Sequence, residues 1–491
     1  MTADAELRNV IEKFVAAAAR PAVLDPGEEP LPLIPDQWSL SEWNGRLVLE
    51  AWDAKRNLVR KLTGLKEQRS GRLALAIERF PRTEGELQIA DLAAPSGRDL
   101  ERKSSRAAFR DRFSLMLARE FPQWRIEEVS AEANLEQSLS AVYTRAFLRL
   151  GSSGMAAMAV APETPDCAGI VPFGLIWLDY LRRREKKLSI RHLLLYVPSH
   201  REREAAFRAG WIDPRAADCR LYAFDERDRV GMVDFADTGN VDSVLPPCNR
   251  SSPPPDIAIR VLEEIPDAVA IGQSDGSVGL RIRGLEFARM AGGRFTCGVS
   301  RRRRASLENV VEMAHAIGIV RNPRAEDHQH PLYTSSPEGW LESEIRAHPE
   351  TIDASLKSTP IYGQVPIFSG GDRGIVDLLA IDCTGRLAVI EIKASADVQL
   401  PFQALDYWLR VRKHLAAGDF ERLGYFAGHV VSPEAPRILL VAPALEFHST
   451  TETLLSSFPP EIEVTRIGLA AGWRSELRVM FRPRGNERPD C

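Results

Sequence analysis

Between Gly374 and Val411 the chain reads GIVDLLAIDCTGRLAVIEIKASADVQLPFQALDYWLRV, with charges where apolar strands do not ordinarily take them. Asp377 interrupts one apolar run, and Glu391 and Lys393 stand two apart in the next. Gln403 and Tyr407 follow, one helical turn apart. A charge inside an apolar strand is costly unless it is paired or holds a metal ion. Two carboxylates, a backbone carbonyl such as that of Ile392, and water form a donor set suited to Mg²⁺ or Mn²⁺. A cation held there polarises a phosphodiester, and a lysine beside it orients or deprotonates the attacking water.

The elements needed to gather these groups are legible. Alternation along a strand puts Glu391 and Lys393 on one face. Asp382-Cys383-Thr384-Gly385 reads as a hairpin turn, with Gly385 free to take positive φ. A hairpin folded about Thr384 sets Asp377 opposite or next to Glu391, so the carboxylates converge beside the lysine ammonium. Both faces of LAVIEIK are apolar, which predicts a central strand rather than an edge ion pair. Upstream, Ser336-Pro337 opens a helix, and Leu341, Ile345, His348 and Ile352 give it an apolar stripe. Glu338, Glu342 and Glu344 lie on that helix. Glu342 is the chosen acid, because it follows Leu341 and lines up with Glu338; the competing reading makes all three solvated charges favoured by the helix dipole. Gln403 and Tyr407 either join the site or simply pack, with the tyrosine ring on the sheet.

Asp377, the Glu391-Ile392-Lys393 triplet and the upstream acidic helix together resemble the PD-(D/E)xK nuclease superfamily, which has the restriction-endonuclease-like fold. Gln403 and Tyr407 resemble the QxxxY helix of the subgroup found in recombination helicase-nucleases and archaeal-type repair nucleases. The resemblance spans Pro337 to Gly468, and Val376 stands where the family name has proline. It implies a Mg²⁺- or Mn²⁺-dependent endonuclease or exonuclease acting on nucleic acid, DNA first. Glu342, Asp377, Glu391, Lys393, Gln403 and Tyr407 would be its catalytic set, and Asp377, Glu391 and the Ile392 carbonyl its metal ligands.

A chain of 491 residues divides into several domains. Its 44% hydrophobic and 27% charged content fits a globular protein, and a net charge of −4 gives no global sign of a nucleic-acid binder. The six cysteines are scattered without a CxxC pair, pointing to reduced thiols and a cytoplasmic setting. The N-terminus reads as an amphipathic helix rather than a signal peptide, and no apolar run approaches membrane-spanning length. No GxxxxGK[ST] loop appears, so an ATP-driven motor would be a separate partner. Asp327-His328-Gln329-His330, and the aspartates of VDFADTGNVDSVL, read as turn-rich loops rather than metal sites.

The two halves share a pattern. Gly64-Leu65 and Arg69 match Gly284-Leu285 and Arg289, each within a strand-rich run. Later come the hairpins RAFLRLGSSGMAAMAVAP and VDLLAIDCTGRLAVIEIK, then the helices PFGLIWLDYLRRR and PFQALDYWLRVRK, then the strands HLLLYVP and ILLVAP. This predicts an α/β chain, α+β overall, built as a tandem duplication of a β-meander plus restriction-like core. The expected divisions are a helix and meander over 1–100, a degenerate core over 101–244, a Pro-rich linker over 245–256, a second meander with a helix over 257–335, and the intact core over 336–491.

Aligning Gly154 with Gly385 puts Val160 at the place of Glu391, Pro162 at Lys393, Ala146 at Asp377, Leu115 at Glu342 and Gly174 at Gln403. The first copy would then be a pseudo-nuclease that binds while the second cuts. Arg182, Arg183 and Lys186, and Arg410 and Lys413 at the matching helix end of the second copy, are the candidate phosphate contacts. The alternative is a non-catalytic nucleic-acid-binding or scaffold protein on the same fold.

Overall fold

A computed structural model describes residues 3–487 apart from 27, 44, 55, 80–82, 238–242, 249–255, 273–275, 370–371 and 486. Asp242 of the acidic loop and most of the expected linker lie outside the described residues. The chain is a mixed α/β protein, α+β overall, whose strands form four sheets among the described residues. It separates into two units: residues 1–202 with 220–232, and 203–219 with 233–491. Among the described residues no helix is long and apolar enough to cross a membrane.

In the first unit, helix α1 (Ala3–Ala17) lays Leu7, Ile11 and Val15 on a seven-stranded sheet, the one-turn spacing of an apolar helix face. That sheet contains β1 (Pro21–Leu24), β2 (Leu31–Pro32), β3 (Trp38–Trp43), β4 (Arg46–Trp52), β5 (Asn57–Arg69), β6 (Arg72–Arg79) and β7 (Thr83–Asp91), in the order β2-β1-β7-β6-β5-β4-β3. Strands β3 to β7 form an antiparallel meander. Helix α2 (Pro95–Glu120) crosses the expected boundary at residue 100 and buries Phe109, Phe113, Met116 and Leu117 against a second sheet. This sheet holds β8 (Arg125–Ser130), β9 (Tyr143–Leu150), β10 (Ser153–Val160), β11 (Ser189–Pro198), β12 (Asp218–Phe224) and β13 (Val230–Met232), ordered β13-β12-β11-β10-β9-β8. Pairs β8–β9 and β9–β10 are antiparallel, and β10–β11 is parallel across helix α3 (Ile170–Arg184).

The second unit begins with helix α4 (Arg203–Ala209) and a short strand β14 (Ser243–Val244). Helix α5 (Asp256–Glu264) leads into a five-stranded meander of β15 (Ala268–Gly272), β16 (Val278–Ile282), β17 (Leu285–Ala291), β18 (Arg294–Cys297) and β19 (Arg303–Ala305). Helix α6 (Leu307–Val320) covers one face of it, with Val310, Ala314 and Ile317 against Leu280, Ile282, Phe287 and Phe295. Helices α7 (Pro331–Thr334), α8 (Pro337–Ala347) and α9 (Pro349–Ile352) follow.

The last sheet is built from β20 (Tyr362–Ser369), β21 (Asp372–Ile381), β22 (Leu387–Ile392), β23 (Arg437–Pro443), β24 (Val464–Leu469) and β25 (Val479–Phe481), in that order, with β14 on the β20 edge. Helix α10 (Leu400–Ala416) makes the crossover between the parallel β22 and β23; helices α11 (Asp419–Arg422) and α12 (Thr451–Leu455) complete the unit. Trp340, Leu341 and Ile345 of α8 pack on one face with Leu378, Ala380, Ile390 and Ile392. Val411 of α10 packs on the other with Val376, Leu379, Ile381 and Val389. Strand β22 is thus central and buried throughout, as its sequence predicts.

Three expectations are revised. The upstream helix stops at Ala347: Pro349 opens a separate turn, and His348 is exposed between them instead of joining the apolar stripe. Gly154 is not a turn residue; it sits in β10 opposite Arg149, and the positive-φ turn glycine is Gly151. The segment expected to open the linker is docked. Leu245 is buried beside Phe420 and Phe426, Tyr425 Oη donates to Pro246 O at 3.1 Å, and Cys248 N to Leu423 O at 2.8 Å. Ser243 Oγ lies 2.7 Å from His414 Nε2, whose Nδ1 lies 2.6 Å from Asp419.

Candidate active site

The hairpin folds about Thr384 as its sequence predicts: Ile381 pairs with Leu387 and Leu378 with Ile390, and Gly385 takes φ +87°. The β21–β22 ladder ends at Leu378. Val376 lies on the α10 face with Leu379, three positions on, so the two-residue alternation slips at Asp377. Opposite, Gln364 of β20 takes positive φ, 53°. An irregularity of this kind re-aims a side chain at the end of a pairing. Here the Asp377 carboxylate receives the Ile392 N–H at 2.9 Å, a donor the ladder leaves over. Burial raises the Asp377 pKa against that bond and the Lys393 charge, with Glu338 adding to the rise.

Glu391 is only 2% exposed. One of its oxygens meets Lys393 Nζ at 3.3 Å, while Oε2 is buried with no hydrogen-bond partner. Burial first, then the Asp377 charge, push its pKa well above the usual carboxylate range. Burial alone would lower the Lys393 pKa, but Glu391, Glu338, Asp377 and Asp397 hold it above its ordinary value. The ammonium therefore stays charged at neutral pH and is better placed to orient and stabilise than to remove a proton. From α10, the Tyr407 hydroxyl pKa is raised by burial and then by the Glu391 and Asp377 charges, while a hydrogen bond from the Ile375 backbone opposes the rise. Gln403 Oε1 is another buried acceptor without a partner.

Of the three helix acids, Glu344 is spoken for: its carboxylate accepts the Trp340 indole N–H at 3.0 Å. Glu338 and Glu342 line a cavity of about 390 Å³ together with Asp377, Ile392, Gln364, Arg281 and Glu286. Glu342 is 7% exposed, and Gln364 donates to it at 2.8 Å. Burial, and next the Asp377 charge, push its carboxyl up to about 7. Gly363 leaves room for this acid: a Cβ there would stand 2.7 Å from Glu342 Oε1.

Arg321, which sequence reasoning did not single out, anchors this helix. It is fully buried and donates to the carbonyls of Arg283, Leu332, Ser335 and Ser336 at 2.6–3.1 Å, and its guanidinium lies over the Trp340 ring. It thereby fixes Ser336 in its left-handed conformation at the start of α8. Its partners are neutral, and burial followed by the Arg474 and Arg283 charges lowers its pKa to about 10. No periodic pattern marks such a residue; an arginine following an apolar helix is the only sequence sign.

The expected phosphate contacts are divided. Arg182 donates to Ile190 O at 2.8 Å, and Arg183 meets Asp179 at 3.0 Å, so both are tied to the first unit's own chain. Lys186 and Lys413 are exposed. Arg410 is half-buried, its Nε without a partner, and its charge reaches Tyr407.

Hard oxygen donors, a buried carboxylate oxygen lacking any partner and three acids with raised pKa values fit a divalent cation in chemistry. Among the described residues, however, no group of three or more His, Cys, Asp or Glu is gathered in metal-holding geometry. The Asp377 and Glu342 carboxylates are instead engaged by Ile392 N–H and Gln364. In comparison with known proteins, no family model matches the chain, and no curated protein does.

Proposed function

We propose that residues 336–491 form a metal-dependent nuclease of the PD-(D/E)xK kind that hydrolyses phosphodiesters of nucleic acid, DNA first. The observation that carries this reading is Glu391: a nearly inaccessible carboxylate with one oxygen on Lys393, the other without a partner, and Asp377 beside it. Asp377, Glu391 and the Ile392 carbonyl would hold Mg²⁺ or Mn²⁺, which supplies polarisation of the phosphodiester. Lys393, held charged, orients the attacking water and offsets charge gathering on the phosphate. Glu342, near neutrality, is the group able to take up the proton. Tyr407 of α10, whose hydroxyl feels the Glu391 charge, and Gln403 one turn before it would complete the set.

In this reading the chain is also duplicated. Support comes from the strand orders: β8 to β13 and β20 to β25 run in the same succession, each with two antiparallel pairs and then a parallel pair bridged by a helix. Each follows a five-strand meander. About the hairpin turn at Gly151, the counterparts of Asp377 and Glu391 fall at Thr144 or Arg145 and at Met158 or Ala159, so the first core has no acid there and would bind rather than cut. A second reading, a non-catalytic nucleic-acid-binding or scaffold protein, is favoured by the absence, among the described residues, of a gathered group of three or more His, Cys, Asp or Glu.

Cleavage of plasmid and single-stranded DNA with Mg²⁺ or Mn²⁺ separates the two. The nuclease reading expects cation-dependent cleavage that Lys393→Ala abolishes with little loss of fold. It also expects calorimetric Mn²⁺ binding that Asp377→Ala weakens sharply. Binding of DNA with no cleavage under any cation favours the scaffold.

A further inference from the structure

The face of the second meander that α6 leaves uncovered carries a cluster of arginines where it meets the acid-lined cavity. Strand alternation, reset by a register shift that leaves Phe287 unpaired, sends Leu280, Ile282, Phe287, Ala288 and Met290 to the α6 core and their neighbours Arg281, Glu286 and Arg289 to the other side. Glu286 accepts from Arg289 at 2.9 and 3.2 Å and from Arg302 at 2.6 Å, and Arg281 Nη2 lies 3.5 Å away. Three guanidiniums thus gather about one carboxylate. Burial alone would raise the Glu286 pKa; the Arg289, Arg302 and Arg281 interactions hold it below its usual range. Gly279 keeps this corner open, since a Cβ there would stand 3.0 Å from the carboxylate. Arg281 is 16% exposed, and its Nε is buried without a hydrogen-bond partner. Arg281 lines the 390 Å³ cavity with Asp377, Glu338 and Glu342, and also a neighbouring cavity of about 280 Å³ with Arg346.

We infer that Arg281, Arg289 and Arg302 form a phosphodiester-backbone grip that holds a nucleic-acid strand beside the acids of the last core; this rests on the nuclease reading. The acids repel a polyanion, so a strand reaching them needs cations on the facing wall. The meander supplies them as guanidiniums, whose planar fork suits phosphate oxygens. The ligand class is the sugar–phosphate backbone, shared by DNA and RNA.

The test uses the full chain in EDTA, with fluorescein-labelled DNA and RNA oligonucleotides and fluorescence anisotropy over a salt series. Joint replacement Arg281→Ala, Arg289→Ala and Arg302→Ala should weaken binding at least about tenfold and make the slope of log K against log salt shallower by about two to three. Glu286→Gln, which removes the one shared negative charge, should tighten binding; where the triple variant fails to fold, this variant decides. Unchanged affinity and slope in the folded triple variant, or unchanged affinity in Glu286→Gln, overturns the grip. Comparison of the two oligonucleotides shows which backbone is preferred. Because the assay contains no metal, its outcome is separable from the nuclease reading. Arginine-dependent binding without any cleavage sinks only the nuclease, whereas Lys393-dependent cleavage with arginine-independent binding sinks only the grip.

Discussion

Glu342 sits where its charge is disfavoured, and this has a consequence for stability. A carboxyl raised from 4.5 to about 7 keeps a proton in the folded chain where the unfolded chain has released it. Its contribution to stability is present in full below the unfolded value and is lost as pH rises through the folded one, a change of about 3 kcal/mol. Glu342→Gln should therefore raise the urea midpoint over wild type at about pH 8, with the gap closing towards about pH 4. An equal midpoint at both would mean the acid is not held near neutrality. On the nuclease reading, wild-type Mn²⁺ affinity should rise with pH through about 7, since ionisation of Glu342 adds negative charge beside the proposed ligands. Sequence made much of this scale legible. Charges within apolar strands pointed to Asp377, Glu391 and Lys393, and the turn residues fixed the register about Thr384. Sequence also put Glu342 ahead of Glu338 and Glu344, but only folding shows that Glu344 bonds Trp340. Arg321 was invisible, because its partners are backbone carbonyls from separate segments.

At the scale of elements, the site depends on how the meander turn meets the start of α8. Gly284 takes φ +77°, and a Cβ there would stand 1.8 Å from Gly339 O, a backbone atom with no freedom to yield. Gly276, also at positive φ (+78°), has nothing within 4 Å of a Cβ and serves as the control. Gly284→Ala should destabilise by more than about 2 kcal/mol and Gly276→Ala by about 1 kcal/mol or less, measured by chemical denaturation. Similar losses at both sites would show that the α8 contact is not tight. Strand and helix periodicity gave the order of these elements well. The misreadings came where one residue outweighs a pattern: Pro349 ends a stripe that otherwise continues at helical spacing, and Gly151, not Gly154, turns the first hairpin.

For the whole molecule, composition and paired patterns suggested two successive halves joined at the proline-rich stretch, but the units do not divide there. Residues 203–219, which in sequence follow β11 and run into the start of β12, belong to the second unit. Arg208 of α4 bonds both Asp406 oxygens, at 2.7–3.2 Å, and Gln399 at 3.1 Å. Trp211 stands edge-on to Trp408, ring centres 5.7 Å apart, and Asp213 N donates to Ser457 O at 2.8 Å. No local pattern in sequence reports such an exchange, because it is a matter of which distant partner a short helix finds. It makes the chain indivisible at the point where a biochemist would first cut it. A fragment starting at Asp256 would lack the arginine that neutralises Asp406 and the indole that covers Trp408. Expressed alone it should aggregate or melt well below the full chain, and a synthetic peptide of residues 203–219, added in trans, should restore solubility by complementation.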